Sequence, residues 1–242
     1  MKSEELSRIK QMLHGQGYID DGAIAMSVFL AMKLEKPLLV EGPAGVGKTE
    51  IAKVMAKAMK TDLIRLQCYE GLDSTHALYE WNYQHQLLYL KMQEGKGQDI
   101  KALEENIFSD KFLLKRPVLH AITHPEQAVL LIDEIDRADE EFESFLLEVL
   151  SDWQVTIPEI GTIEATNKPQ IILTGNRTRE LSEALRRRCL YLWIDYPTFE
   201  KELAIVKSKV PKIDQKLGTQ ICAFMKELRQ MKLEKTPGIS ET

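Results

Sequence analysis

The chain carries the run Gly42-Pro43-Ala44-Gly45-Val46-Gly47-Lys48-Thr49, which fits the spacing GxxxxGK[ST] in full. The chemistry of that spacing is phosphate binding. Glycines let the backbone pass close to an anion, and successive N–H groups can face one concavity. A helix starting at Lys48 adds the partial positive charge of its N-terminus. Lys48 supplies a full charge to β- and γ-phosphates, and Thr49 offers a hydroxyl to Mg²⁺. A chance glycine-rich turn would lack the flanking context. Here the apolar segment 37–40 (PLLV) precedes the loop and the helix-spaced segment 48–60 follows it.

A site of this kind also needs a carboxylate for the metal and a group to orient water. Asp133 and Glu134 end the apolar segment AVLLID. At the carboxyl edge of an α/β sheet they would stand beside the ligand crevice. Asp133 is the candidate magnesium residue, acting through coordinated water. Glu134 is the candidate for polarising the attacking water, since an ionised carboxylate can accept its proton. The alternative is that both merely cap the next turn. For the nearby Asp136 and Asp139, helix capping suffices. Asn176 follows the apolar run QIILTG. Its amide could hold the water near the γ-phosphate, or it could be a turn residue after glycine. Arg186-Arg187-Arg188 could be a solvated helix end, or could insert an arginine into a neighbouring copy's site.

These groups need elements to position them. Strands are predicted at 37–40, 62–67, 128–133, 170–174 and 189–194, here numbered one to five. Between them lie helix-spaced segments, including one capped by Asp139 with Phe142, Phe145, Leu146, Val149 and Leu150 on one face. That alternation predicts an α/β fold with a largely parallel, doubly covered sheet. Residues 154–165 read as a hairpin around Pro158 and Gly161, either lining a channel or simply connecting. Residues 71–123 are too long for a plain crossover, so inserted helices or a loop are expected there. Within them, 93–100 (QEGKGQDI) reads as a mobile surface loop. Trp81 and Tyr83 in the insertion could face a pore or a partner, or pack into the insertion's own core. After Pro197 the apolar clusters are helix-spaced to Leu233: Phe199, Leu203 and Val206, then Ile213, Leu217 and Ile221. This predicts a small helical domain.

Composition sets the boundaries. The chain has 242 residues, 44% hydrophobic and 29% charged, so it can bury a core and is not a disordered chain. A net charge of −5 argues against a constitutive nucleic-acid binder, and nucleic acid is not an expected partner. No apolar run approaches a membrane span, and MKSEELSRIK has no secretory signal character. Cys68, Cys189 and Cys222 form no CxxC pair, which points to free thiols in a reducing, cytoplasmic setting. His76, His85, His120 and His124 match no metal-ligand spacing, so surface or packing roles are expected.

Taken together, GPAGVGKT, LLIDEID, LTGN and EALRRRC occur in the order of an AAA+ ATPase. QCYEGLDSTHALYEWNYQHQLL, the segment DEIDRADEEFESFLLEVLSDWQVTIPEIGTIEA and the closing LEKTPGISET resemble the MoxR group, most of all its CoxD-type branch. The resemblance runs over residues 24–242. It implies an α/β AAA+ P-loop core over 1–197, with strand order 5-1-4-3-2, and a helical lid over 198–242. It implies ATP and Mg²⁺ as cofactors, with hydrolysis to ADP and phosphate. Gly42, Pro43, Ala44, Gly45, Val46, Gly47, Lys48 and Thr49 would be Walker A, Asp133 and Glu134 Walker B, and Asn176 sensor-1. Arg188 would be the arginine finger, with Arg187 the second choice.

Members of this group form rings, commonly hexamers. They are similar to chaperone-like machines that mature metalloenzymes of the carbon monoxide dehydrogenase and molybdenum hydroxylase type, often with a von Willebrand factor A domain partner. The expected sensor-2 arginine has no counterpart in Gly238-Ile239-Ser240-Glu241-Thr242, so either this branch lacks that arginine or the lid as given is incomplete. From the residues alone, a P-loop small-molecule kinase and a nucleotide-switched loader remain the alternatives.

Overall fold

The computed structural model describes residues 2–94, 100–231 and 236–242. In chain order the elements are α1 (Lys2–Gly15), α2 (Ala23–Leu34), β1 (Leu38–Glu41), α3 (Lys48–Met59), β2 (Leu63–Gln67), α4 (Ser74–Ala77), β3 (Tyr79–Trp81) and α5 (Tyr83–Gln93). Then come α6 (Ile100–Ile107), β4 (Leu113–Lys115), α7 (Pro117–Ile122), β5 (Val129–Asp133), α8 (Glu140–Asp152), β6 (Gln154–Ile157), β7 (Gly161–Glu164) and β8 (Gln170–Gly175). The rest are α9 (Glu183–Arg188), β9 (Leu190–Trp193), α10 (Phe199–Lys209) and α11 (Gln215–Gln230).

Among the described residues, five strands form one parallel sheet in the order β2-β5-β8-β1-β9. Numbered as the five predicted strands, this is the expected order 5-1-4-3-2 in an α/β fold. The insertion of β8 between β1 and β5 decides where the site lies. The loop after β1, the acidic pair ending β5 and Asn176 after β8 all emerge side by side at the carboxyl edge.

Alternation along the strands builds two cores. Leu39, Leu66, Leu130, Ile132, Ile171 and Leu173 face one layer, where they pack with α7 and α8 residues such as Leu119, Ile122, Phe142 and Leu146. Leu38, Val40, Val129, Leu131, Ile172 and Leu192 face the other, with Ile51 and Met55 of α3 and Ile24 and Val28 of α2. Central strands buried on both faces read as continuous apolar runs, which is why they were legible.

Some elements differ from the sequence reading. The strand starts at Leu38, not Pro37, whose carbonyl instead accepts from Leu190 N at 2.8 Å. No element was predicted before residue 37, yet α1 and α2 stand there. Helix α2 is AIAMSVFLAMKL, too uniformly apolar to show a polar face. In 71–123 the structure holds helices as expected, and also the antiparallel pair β3–β4. Trp81 is buried there, edge-on to Phe108 with ring centroids 5.3 Å apart, so it belongs to the insertion's own core. Tyr83, by contrast, is 64% exposed. The predicted loop at 93–100 falls largely on residues 95–99, outside the described residues.

The hairpin at 154–165 is present as β6–β7. In the C-terminal region α10 and α11 form as helices, while Leu233 lies outside the described residues. On α11 the buried set is Gly218, Cys222 and Met225, and Leu217 is half exposed. The buried face is thus one residue on from the predicted one. Cys68, Cys189 and Cys222 are free, and burial pushes the Cys68 and Cys189 thiols up to about 12, which keeps them protonated and unreactive. Among the described residues no helix is long and apolar enough to cross a membrane.

Candidate nucleotide site

The loop between β1 and α3 is shaped by its glycines. A Cβ on Gly42 would lie 1.9 Å from the carbonyl oxygen of Ile194, so no other residue fits there. Gly47 then caps α3, whose axis starts at Lys48. Lys48 is buried, and its amine donates to Gly42 O at 2.8 Å, Pro43 O at 2.7 Å and Asn176 Oδ1 at 2.8 Å. Burial pulls the Lys48 pKa below its ordinary value, while the surrounding carboxylates Asp136, Asp133, Glu134 and Glu41 push it back up.

Asp133 is also buried. Its Oδ1 accepts from Thr49 Oγ1 at 3.1 Å and from Thr174 Oγ1 at 2.5 Å. The Thr49 hydroxyl and the Asp133 carboxylate therefore sit together as hard oxygen donors beside the phosphate loop. That pair fits Mg²⁺, which takes one or two protein oxygens and completes its octahedron with phosphate and water. When bound, the ion would supply charge neutralisation at the phosphates. Glu134 takes a left-handed backbone at φ 57°, a costly conformation of the kind found at functional turns. Its N–H donates to Thr174 Oγ1, and its Oε2 accepts from Gln67 Nε2 and Arg137 Nε, each at 3.0 Å.

These side chains enclose a cavity of about 340 Å³, lined among others by Gly45, Lys48, Thr49, Arg65, Asp133 and Asn176. A second cavity, of about 470 Å³, lies on the other side of the same loop. It is mostly apolar, walled by Tyr18, Ile24, Val46, Ile194, Ile205 and Ile239.

The structure brings Lys48, Thr49, Asp133, Glu134 and Asn176 together and leaves Arg187 and Arg188 apart. Arg188 ends α9, where it donates to Ser151 Oγ and to Ala184 O; Arg187 pairs with Glu183. The next strand, β9, starts opposite Leu38, at the amino end of β1. A four-residue strand at about 3.3 Å per residue puts the start of β9 roughly 13 Å along the sheet from the phosphate loop, and the arginines precede it.

Asp139 caps α8, accepting from Phe142 N at 2.8 Å. Asp136 is corrected: it caps no helix. Its Oδ2 accepts from Asn176 N at 3.0 Å, Thr178 N at 2.8 Å and Thr178 Oγ1 at 2.7 Å. It therefore fixes the turn carrying Asn176, in which Arg177 is left-handed at φ 58°. The histidines scatter. His76 pairs with Asp73, His85 packs on Phe112, and His124 bonds Asp62 and Glu126, with the His120 ring 5.8 Å away.

Comparison with known proteins identifies the family and the fold. The AAA domain (dynein-related subfamily) family profile matches residues 37–189, more than half of the chain. The chain belongs to this family. The matched range of the AAA domain runs from the residue before β1 to the residue after α9. An uncharacterized Staphylococcus epidermidis protein is 30% identical over 206 residues, covering 82% of this chain and 70% of its own. One from Staphylococcus haemolyticus is 28% identical over 227 residues, covering 91% and 78%.

Two solved structures share the fold. One is a Cytophaga hutchinsonii protein described as a candidate ATPase, with TM-score 0.58 and 20% identity over 93% of this chain. The other is a RuvB variant from Thermotoga maritima, with TM-score 0.51 and 21% identity over 93%. The AAA chain spans 64% and 60% of those two proteins.

Sequence reasoning missed Arg65 and Thr174 in the polar cavity, Gln67 on Glu134 beside it, and the whole apolar cavity. Arg65 and Gln67 gave no signal, because polar residues at every second position are the ordinary pattern of an edge strand.

Proposed function

We propose that this AAA chain is a Mg²⁺-dependent ATPase that converts ATP and water to ADP and phosphate. One observation carries the reading: residues of three separate segments, Lys48 and Thr49, Asp133, and Asn176, are hydrogen-bonded to one another around the phosphate loop. In this reading Lys48 and the loop amides hold the phosphates. Thr49 and Asp133 hold Mg²⁺, the latter through water. Glu134 polarises the attacking water and Asn176 orients it. The apolar cavity takes the base, since a planar ring buried against Val46 and Ile205 leaves the phosphates at the loop.

Arg188, with Arg187 second, serves a neighbour's site, since its place at the opposite edge suits donation to another copy and not to its own. Ring assembly, a hexamer by resemblance, follows from that polarity. Residues 198–242 act as the helical lid of the 1–197 core. The motifs shared with the MoxR group, CoxD branch, support a cytoplasmic chaperone-like role on a protein client in metalloenzyme maturation, with a von Willebrand factor A domain partner.

The test is ATP turnover per chain against protein concentration with Mg²⁺ present. Turnover that rises and saturates, and is lost in Arg188→Ala with nucleotide binding retained, is expected. Unimpaired hydrolysis by Arg188→Ala would remove the shared-site part.

A further inference from the structure

Asp133 has two oxygens in unlike situations. Oδ1 is committed to two hydroxyls that the fold fixes, those of Thr49 and Thr174. Oδ2 is held by Arg65 Nη2 at 2.5 Å. The Asp133 side chain is 5% exposed, the Arg65 side chain 50%. The same guanidinium nitrogen donates to Gln67 Oε1 at 2.6 Å, and Gln67 in turn donates to Glu134. Arg65 and Gln67 lie two apart on the edge strand β2, so both reach over the end of β5. Arg65 lines the polar cavity together with Lys48 and Thr49.

A half-exposed arginine costs little to detach, because water and salt already screen much of its attraction. The carboxylate beneath it cannot move away, being tied at its other oxygen.

Building on the nucleotide-site reading above, we infer that Arg65 is a displaceable counter-cation on Asp133 that sets how much Mg²⁺ the site requires. A hydrated Mg²⁺ beside Thr49 presents water hydrogens to carboxylate oxygens. Arg65 competes for Oδ2, and its charge opposes a divalent ion nearby. The same charge favours the oxygens of a triphosphate carrying no metal. Arg65 therefore strengthens metal-free nucleotide binding and weakens the advantage that Mg²⁺ confers. An uncharged residue in its place would reverse both effects. Loss of a merely structural contact would instead weaken binding at every Mg²⁺ level alike.

The experiment measures the affinity of a fluorescent non-hydrolysable ATP analogue by anisotropy, in EDTA and across a series of free Mg²⁺ concentrations. In Arg65→Gln, metal-free affinity is expected to fall about three- to tenfold, and the Mg²⁺ concentration at half effect to fall by a similar factor. Arg65→Lys, which keeps the charge, returns both values toward the parent. A parallel shift at all Mg²⁺ levels, or no shift, overturns the role of Arg65. Lys48→Ala is the control for the underlying reading. It is expected to lose binding under both conditions, and undiminished binding by Lys48→Ala would overturn the nucleotide site itself.

Discussion

The two cavities that flank the phosphate loop are built on opposite principles. The polar one is small and its walls are tied to one another by hydrogen bonds between distant segments, as in Lys48 to Asn176 and Thr49 to Asp133. The apolar one is larger and is walled by aliphatic and aromatic side chains from the N-terminal segment, the loop and the C-terminal helices. The first can direct charge and protons, while the second offers mainly apolar shape, with Glu50, Asp195, Lys201 and Lys209 also in its walls. Chemistry is thus concentrated in a few residue types, and affinity for the rest of a ligand is spread over many.

The sharpest way to test this division is at Glu134. Glu134→Gln keeps size and removes the proton acceptor, so turnover should fall by about 100-fold or more with binding changed little. Single-turnover hydrolysis and nucleotide anisotropy measured together check it. Equal losses in both would make Glu134 part of the binding wall.

Asp136→Ala tests whether the polar side is held rigid from beneath. It removes the acceptor for Asn176 N and Thr178 N and leaves those donors stranded, at a cost of about 1–3 kcal/mol by urea unfolding. Turnover falls too, since the Asn176 turn loses its support. An unchanged unfolding midpoint would contradict that.

Filling the other cavity should separate base from phosphate. Ile205→Trp is expected to weaken ATP about tenfold while leaving inorganic triphosphate within about twofold, as one pocket is blocked and the other untouched. Calorimetry with both ligands reads the difference, and equal weakening of the two would merge the cavities into one site.

The smallest effect is in pH. Burial holds the Lys48 pKa below its ordinary value in the free protein, and a bound phosphate raises it by favouring the charged form. Nucleotide binding therefore takes up a proton at alkaline pH. Affinity is full below the depressed free-protein pKa and declines as pH rises through it. A titration between neutral and alkaline pH should show this decline, a few-fold per unit. A flat profile in that window would mean Lys48 stays charged throughout.

How far the sequence could be read follows the same division. That Lys48, Thr49, Asp133 and Glu134 come together was legible because a phosphate-loop spacing after one apolar run and an acidic pair ending another mark neighbouring strand ends of one sheet. The three central strands β1, β5 and β8 were legible because burial on both faces demands apolar runs. The strand order came through the resemblance to a known family. Asp136 was misread, since a carboxylate near a helix start looks like a cap whether it turns to the helix or to a loop forty residues later. Arg65 was invisible in an edge strand that alternates anyway. Helix α2 hid because its lack of polar residues erases the helical period. Tyr18, Ile205 and Ile239 could not be joined at all, since only folding brings three remote segments into one wall.

The meeting of Gly45 and Gly238 bears on how such a chain can drift. The amide of Ile239 donates to Gly45 O at 2.9 Å, and a Cβ on either glycine would fall under 3 Å from the other's Cα. Backbone lies against backbone, with no side-chain end that could give way. A substitution at one position cannot be absorbed unless the other segment withdraws from the loop. Two codons far apart in the gene are therefore bound to a common fate, and among relatives that retain this contact both should remain glycine.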